Sequence, residues 1–405
     1  MHKLFGKTIL PLAFAAVTAG VFAQTKLVPQ RIVLKNGRTL TLNATSDLEI
    51  IPAAEGLKRV RFFAKAPDGR IFVTDMYNLT DNKRGSIYIL DGWNAETGKF
   101  GKVIRYLSGL HNPNSVQFYR DPNGLEWIYI AETGKLTRRR YTRGETAPSD
   151  LKPQTIATFP DYGLSYKYGG WHLTRTLAFG PNGKLYVSVG SSCNSCVEKE
   201  DVRAAVLEMN PDGTESRIFA KGLRNAVGLK WIGDSLYATN QGSDHLGLQK
   251  PDETFYLLAS PTNSLGAKAE PKDHGWPYCH SSNGKVFTDP KLKRRSGCSN
   301  VTPPYAFFPA RSSALGFEYF DDADAPAAFK DAFLVSLHGS TNKAIGHGYK
   351  IVILRKGKRL QDLVTGFLQG GTVVGRPCDI MKLGPDSFLF TDDNKGVVYL
   401  VRKRR

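Results

Sequence analysis

Short apolar runs separated by glycine-bearing turns dominate this chain. Residues 61–75 read as two strands joined by Pro67-Asp68-Gly69, and residues 176–189 as two strands joined by Pro181-Asn182-Gly183. In the second case the return strand alternates as Lys-Leu-Tyr-Val-Ser-Val. An apolar run, such a turn and an alternating run together predict a β-hairpin. The same unit recurs at 114–132, where Asp121-Pro122-Asn123-Gly124 makes the turn, and again at 225–240, 315–337 and 380–391. Further strands at 85–90 and 396–401 extend these units. Nothing carries the period of a long amphipathic helix. Six similar hairpins along one chain predict an all-β fold, a six-bladed β-propeller. A two-sheet sandwich does not need so similar a hairpin six times. One insertion, about residues 259–312, rich in Pro, Gly, Lys and Ser, interrupts the spacing.

Radial repetition without a linker implies a single domain, expected over residues 24–405 of the 405. The opening has a different character. A basic start over 1–7 and an apolar stretch over 9–22 precede Val21-Phe22-Ala23, a small-residue cleavage site before Gln24. This predicts a signal peptide over residues 1–23 and a periplasmic or secreted mature chain. The apolar stretch is short and broken by Pro11 and Gly20, and no later run is long enough to cross a bilayer, so no transmembrane segment is expected.

The formal net charge is +18. Its basic residues are scattered through turns such as 138–140 and 293–295, with no arginine-rich helix and no RNA-binding motif. A solvated cationic surface is the expectation, not a nucleic-acid partner. Export permits disulfides. Cys193 and Cys196 form a C-x-x-C without the βαβ setting of a redox motif or a second C-x-x-C for zinc, which favours a structural bridge. Cys279 and Cys298 enclose a basic excursion and form the second expected bridge, leaving Cys378 as a buried thiol. Two other pairings of the four remain open.

In a propeller the loops entering the inner strands converge on the central channel. Polar residues at those entries are Asn112, Asn114, His172, Arg175, Arg224, Asn225, Arg311 and Arg376, with Asn240-Gln241-Gly242-Ser243-Asp244 at the far end of its strand pair. One such arginine is usually structural. Several aimed at one pocket call for a polyanion, because guanidinium pairs with carboxylate in a bidentate way. A lone histidine in a Gly-rich loop is also more often structural, but at a strand entrance among these arginines His172 suits a general base.

These residues carry a family resemblance. Residues 169–179 (Gly-Gly-Trp-His-Leu-Thr-Arg-Thr-Leu-Ala-Phe), 189–196 and 222–229 resemble the glucose/sorbosone dehydrogenases. Residues 275–278, 337–343, 348–352 and 375–379 follow in the family's order, so the likeness runs from about 60 to 402. The resemblance implies an exported six-bladed propeller that binds pyrroloquinoline quinone (PQQ) with calcium, Ca2+, and oxidises an aldose or related aldehyde or polyol. It implies His172 as general base, Arg224, Asn225, Gln241, His338 and Arg376 at the cofactor, and the carbonyls of Gly242 and Ser243 as calcium ligands. As a structural alternative, His338 caps its strand. Gly247-Leu248-Gln249 departs from the acidic stretch that relatives carry after the calcium loop, and Arg311 stands where relatives often have histidine. With no haem-attachment motif, an external electron acceptor is expected. The alternatives are a calcium lactonase, disfavoured by a pocket rich in arginine and poor in carboxylates, and a propeller that binds without catalysis.

Overall fold

The predicted hairpins close by one local device. The Ala66 amide donates to the Arg70 carbonyl and the Gly69 amide donates back to Ala66; Asp121 with Leu125 and Gly180 with Lys184 repeat the pattern. The glycine of each turn is left-handed, with φ of 84°, 80° and 72° at Gly69, Gly124 and Gly183, a conformation that a Cβ makes costly. A three-residue loop ending in such a residue matches the twist of paired strands.

The computed structural model describes residues 26–149, 152–161, 172–261, 270–294 and 296–404. The expected signal peptide, the Gly169-Gly170-Trp171 leading to His172, and Arg295 lie outside the described residues. Six sheets of at least four strands follow one another as antiparallel meanders. Their inner strands are Val60–Lys65, Ser115–Arg120, Arg175–Phe179, Leu229–Ile232, Ala314–Phe320 and Pro377–Gly384. Numbered in that order, these are blades one to six of the β-propeller. Blade six is closed by Leu48–Ala54 from the start of the chain, which pairs with Val397–Lys403 from its end. Blade four takes its outer strand, Ala306–Phe308, from near the end of the insertion. The insertion also contributes Lys272–Asp273, which extends blade three in parallel, and a hairpin of Cys279–Ser282 with Lys285–Thr288. Among the described residues the helical content is one 3-10 turn, Lys343–Ile345.

Strand alternation explains how the blades stack. On Ile71–Asp75, Ile71 and Val73 pack with Leu389, Val398 and Leu400 of blade six, whereas Phe72 packs with Val116, Ile128 and Ile130 of blade two. On Leu185–Val189, Leu185, Val187 and Val189 face blade two and Tyr186 faces blade four. Each strand is therefore apolar on both faces, and six interblade cores result. That burial is why the middle strands read as almost continuous apolar runs. Cys193–Cys196 and Cys279–Cys298 are bridged as expected, and Cys378 is a buried thiol in an axial cluster with Phe62, Val227 and Leu315.

Along the axis a void of about 30 Å3 lies among Phe62, Thr176, Gly228, Lys230, Gly316 and Asp379, room for about one water. Burial pushes the Asp379 carboxyl up to about 6, against the pull of Lys230 and the Phe63 amide. Its folded affinity for a proton thus exceeds its unfolded affinity. The stability this supplies is fully present below the ordinary carboxyl value of 3.8 and is lost as pH rises through about 6. Asp379→Asn removes that dependence. The wild-type unfolding free energy, relative to the variant, should fall between about pH 4 and pH 7 by roughly 3 kcal/mol at most. An unchanged difference across that range would contradict the assignment.

Candidate active site

Because every blade begins with its inner strand and the second strand returns antiparallel, the starts of the former and the ends of the latter share one face. Residues just before the inner strands (Arg59, Asn114, His172, Asn225, Arg311, Arg376) and just after the second strands (Gly190, Gln241, His338, Asp393) are therefore brought to one mouth. The expected site residues fall within this set or in the loops beside it. Arg61 and Thr176, the second residues of their inner strands, also join the network below.

His172 is held from blade three. Its backbone is left-handed (φ 51°), and its carbonyl accepts from the buried Arg175 guanidinium at 2.7 Å. Nδ1 lies 2.9 Å from the Ser191 carbonyl and 3.0 Å from Ser191 Oγ, whose own proton goes to the Cys193 carbonyl. Nδ1 must therefore carry the ring proton, which puts the lone pair on Nε2. Burial, and then the nearby Arg224, hold the imidazole well below its ordinary proton affinity, so it is neutral at physiological pH, as a base must be. Gly190 lets it sit there: a Cβ at 190 would stand 2.5 Å from His172 Cβ and 2.6 Å from Asn225 Oδ1.

Arg224 and Asn225 adjoin it. The Arg224 carbonyl accepts from the Ser191 amide at 2.7 Å. The Arg224 guanidinium donates to the carbonyl and Oδ1 of Asn194, at 2.9 and 3.0 Å, and lies 3.5 Å from Asp244. Asn194 stands between Cys193 and Cys196, so that small disulfide ring fixes the partner of Arg224. Asn225 Nδ2 donates to Gln241 Oε1 at 2.8 Å, and the Gln241 amide to the Asn225 carbonyl at 3.1 Å.

The loop after Gln241 wraps a cation supplied by the chain itself. The Arg311 guanidinium donates to the carbonyls of Ser243 (2.7 Å), Asp244 (2.8 Å), Lys250 (3.2 Å) and Gly247, and to Asp244 Oδ1 at 2.6 Å. Ser243 Oγ accepts from Trp276 Nε1 at 3.0 Å. Beside it the Gly242 amide donates to Glu253 at 3.2 Å, a carboxyl that burial raises to about 7 despite Arg224.

His338 and Arg376 come from blades five and six. The Arg376 guanidinium donates to the carbonyls of Gly339 (2.7 Å) and Ser340 (2.9 Å). His338 Nε2 lies 2.8 Å from Asp393 Oδ1; on the other carboxylate oxygen Asp393 takes Arg61 at 2.8 Å and Arg59 at 3.2 Å. Arg61 donates onward to Asn114 Oδ1 at 3.1 Å, and Asn114 to Thr176 Oγ1 at 3.0 Å. The strand-capping and cofactor-facing roles of His338 are thus compatible: one edge is anchored on Asp393.

Asp393, Glu253, Arg61 and Ser191 were not singled out in the sequence. The pocket holds more carboxylate than its sequence suggested, although Asp393 and Asp244 are already matched by arginine. Asp393 follows Asp392 at the end of a second strand, the position that His338 and Gln241 also occupy, and that equivalence was the available signal.

The residues fit the two cofactors that the resemblance implied. Arg224, Arg376 and Arg61 are fixed cations around one mouth, suited to a planar polycarboxylate. For calcium, the Gly242 carbonyl and the Glu253 carboxyl offer hard oxygen donors. The Ser243 carbonyl already receives Arg311 and has its second lone pair to offer.

Comparison with known proteins agrees with this architecture. The TrAA12-like family matches residues 126–363, more than half of the chain. An uncharacterized protein of Borreliella burgdorferi is 28% identical over 340 residues, covering 80% of this chain and 84% of its own. Among solved structures, the holo PQQ domain of pyranose dehydrogenase from Coprinopsis cinerea superposes with a TM-score of 0.71 at 17% identity, covering 90% of this chain and 97% of that one. A calcium structure of the Trichoderma reesei family AA12 enzyme gives 0.72 at 15%, covering 89% and 96%. The PQQ-bound aldose sugar dehydrogenase of Streptomyces coelicolor gives 0.59 at 16%, covering 89% and 100%.

Removing Asp393 tests the network directly. Asp393→Ala leaves a buried Arg61 with its anion gone, and the protein should lose about 3–5 kcal/mol of stability in denaturant titration. A loss below about 1 kcal/mol would mean that Arg61 finds water instead.

Proposed function

The chain belongs to the TrAA12-like family, and on that premise we propose that it oxidises an aldose or related aldehyde or polyol, using PQQ and calcium. The observation that carries the reading is the orientation of His172: Nδ1–H is committed to Ser191, so Nε2 is the basic nitrogen of a neutral ring whose proton affinity burial and Arg224 hold down. The holo and PQQ-bound titles of the Coprinopsis and Streptomyces structures, and the calcium title of the Trichoderma one, support the choice of cofactors.

In this reading Arg224, Asn225, Gln241 and Arg376 orient the quinone, with His338 alongside. The Gly242 and Ser243 carbonyls would hold calcium, and the Glu253 carboxyl, raised by burial to about 7, would lose its proton as the cation binds. When bound, the quinone accepts hydride and calcium polarises the carbonyl that receives it. His172 Nε2 takes the proton from the substrate hydroxyl, and the Ser191 carbonyl stabilises the imidazolium that results. Burial has already removed the charged form from the resting ring, so this proton transfer is timed to the reaction. An external acceptor would take up the electrons. Two disulfides and the basic-then-apolar opening favour a periplasmic or secreted location.

Purified protein should reduce a dye with sugar only when both PQQ and calcium are present, tested over a panel of aldoses. Turnover that survives a chelator and needs no added PQQ would overturn the proposal. His172→Ala should lower turnover by about two to four orders of magnitude while PQQ binding changes little. Retention of most turnover would remove His172 from the base role.

A further inference from the structure

Beneath the calcium loop lies a second cluster that the proposed reaction does not use. His245 comes from that loop, His280 from the strand Cys279–Ser282, and Asp289 from just beyond its partner strand Lys285–Thr288. We propose that these three side chains form a site for one divalent transition-metal ion of the zinc class. Nε2 of His245 and Nε2 of His280 lie 2.7 and 2.8 Å from the same oxygen, Oδ2 of Asp289. All three ligand atoms are within 4.8 Å of one another.

The donor chemistry selects the ion. Two imidazoles and a carboxylate suit Zn2+, Co2+ or Ni2+, whereas calcium prefers oxygen alone. Tetrahedral zinc ligands at about 2.0–2.1 Å from the ion lie roughly 3.3–3.4 Å from each other, so each imidazole would draw back from the Asp289 oxygen by about half an ångström while the two Nε2 atoms, within 4.8 Å of each other, settle around the ion. On binding, each neutral ring offers Nε2 and carries its proton on Nδ1. Water completes the coordination from the side of His245, the most exposed of the three.

The ligands are also held in place without metal. Asp289 Oδ1 accepts the amides of Lys291 and Leu292 at 2.7 and 2.8 Å, which fixes the carboxylate and turns Oδ2 to the imidazoles. Such outer contacts are what keep metal ligands oriented. The Cys279–Cys298 bridge tethers the residue next to His280. The hairpin is joined to the calcium loop by the Asp252 amide to the Ser281 carbonyl at 2.9 Å and by Ser281 Oγ to Asp252 at 2.9 Å. The ion would therefore clasp two preassembled segments. His245 adjoins Asp244, the partner of Arg311 and Arg224, so the clasp would stiffen the wall of the active site. The alternative is a hydrogen-bonded packing triad that never meets metal.

Titration of the chelator-treated full-length protein with Zn2+ in excess calcium separates these. Calcorimetric binding of one equivalent is expected, and Co2+ should give a visible absorption band of nitrogen–oxygen coordination. His280→Gln and Asp289→Asn should each weaken binding by about tenfold or more and abolish the band. His245→Gln, at the more exposed position, is the variant least exposed to folding failure and should do the same; circular dichroism confirms the fold of each. Absence of a bound equivalent in the wild-type protein overturns the proposal. So does wild-type affinity in folded His245→Gln. Neither result bears on the PQQ reading, which is scored by dye reduction.

Discussion

The inner strands of neighbouring blades are not paired to one another, so their backbone groups at the junctions must be satisfied by side chains. Inside an axis nearly closed to water, an unmatched N–H or C=O is costly. Small hydroxyls and carboxylates meet the need at one junction after another. Thr391 donates to the Arg61 carbonyl, Thr74 to Asn114, Thr176 to Val227 and Thr239 to Leu315, at 2.6 to 2.8 Å. Ser115 accepts from the Leu177 amide and Asp379 from Phe63. Interblade cores supply most of the driving force by burying apolar surface, but these polar stitches set where each blade stands.

The candidate active site extends the same stitching outward to the mouth. Thr176, which bridges blades three and four, also receives Asn114; Asn114 receives Arg61; and Arg61 meets Asp393 with His338. Side chains placed by a closed ring of this kind have little freedom to relax. That rigidity is what the proton-acceptor role proposed for His172, and an array of fixed cations, would require.

Charge follows a related logic. Arg311 fills a cage of four loop carbonyls that would otherwise need an ion or water, and its own charge is met by Asp244. The loop that includes Gly247-Leu248-Gln249 is thus braced from within by a cation on the next blade. Glu253, raised by burial beside Gly242 to about 7, keeps a carboxyl there that a hard cation would draw into its charged form.

The repeated hairpins were legible in the sequence because they are local, and the two expected bridges, Cys193–Cys196 and Cys279–Cys298, join cysteines close in the chain, although their spacing left other pairings open until the structure chose between them. A Pro-Asp-Gly or Pro-Asn-Gly turn carries its backbone requirement in its own residues, and an apolar strand shows its two buried faces by period alone. His172, Arg224, Asn225, Arg376 and the Gln241-Gly242-Ser243 loop were also visible, since each sits at a fixed place relative to a strand end. Ring closure by Leu48–Ala54 was not, and neither was the return of Ala306–Phe308, near the end of the insertion, to blade four. Both depend on pairing between segments far apart in the chain, which leaves no local mark. Asp393 with Arg61, the cage around Arg311 and the His245-His280-Asp289 cluster belong to the same class. Sequence alone determined what kind of blade each segment could make. Only the closed ring decided which side chains from different blades would meet, because those contacts exist by virtue of position around the axis and not of order along the chain.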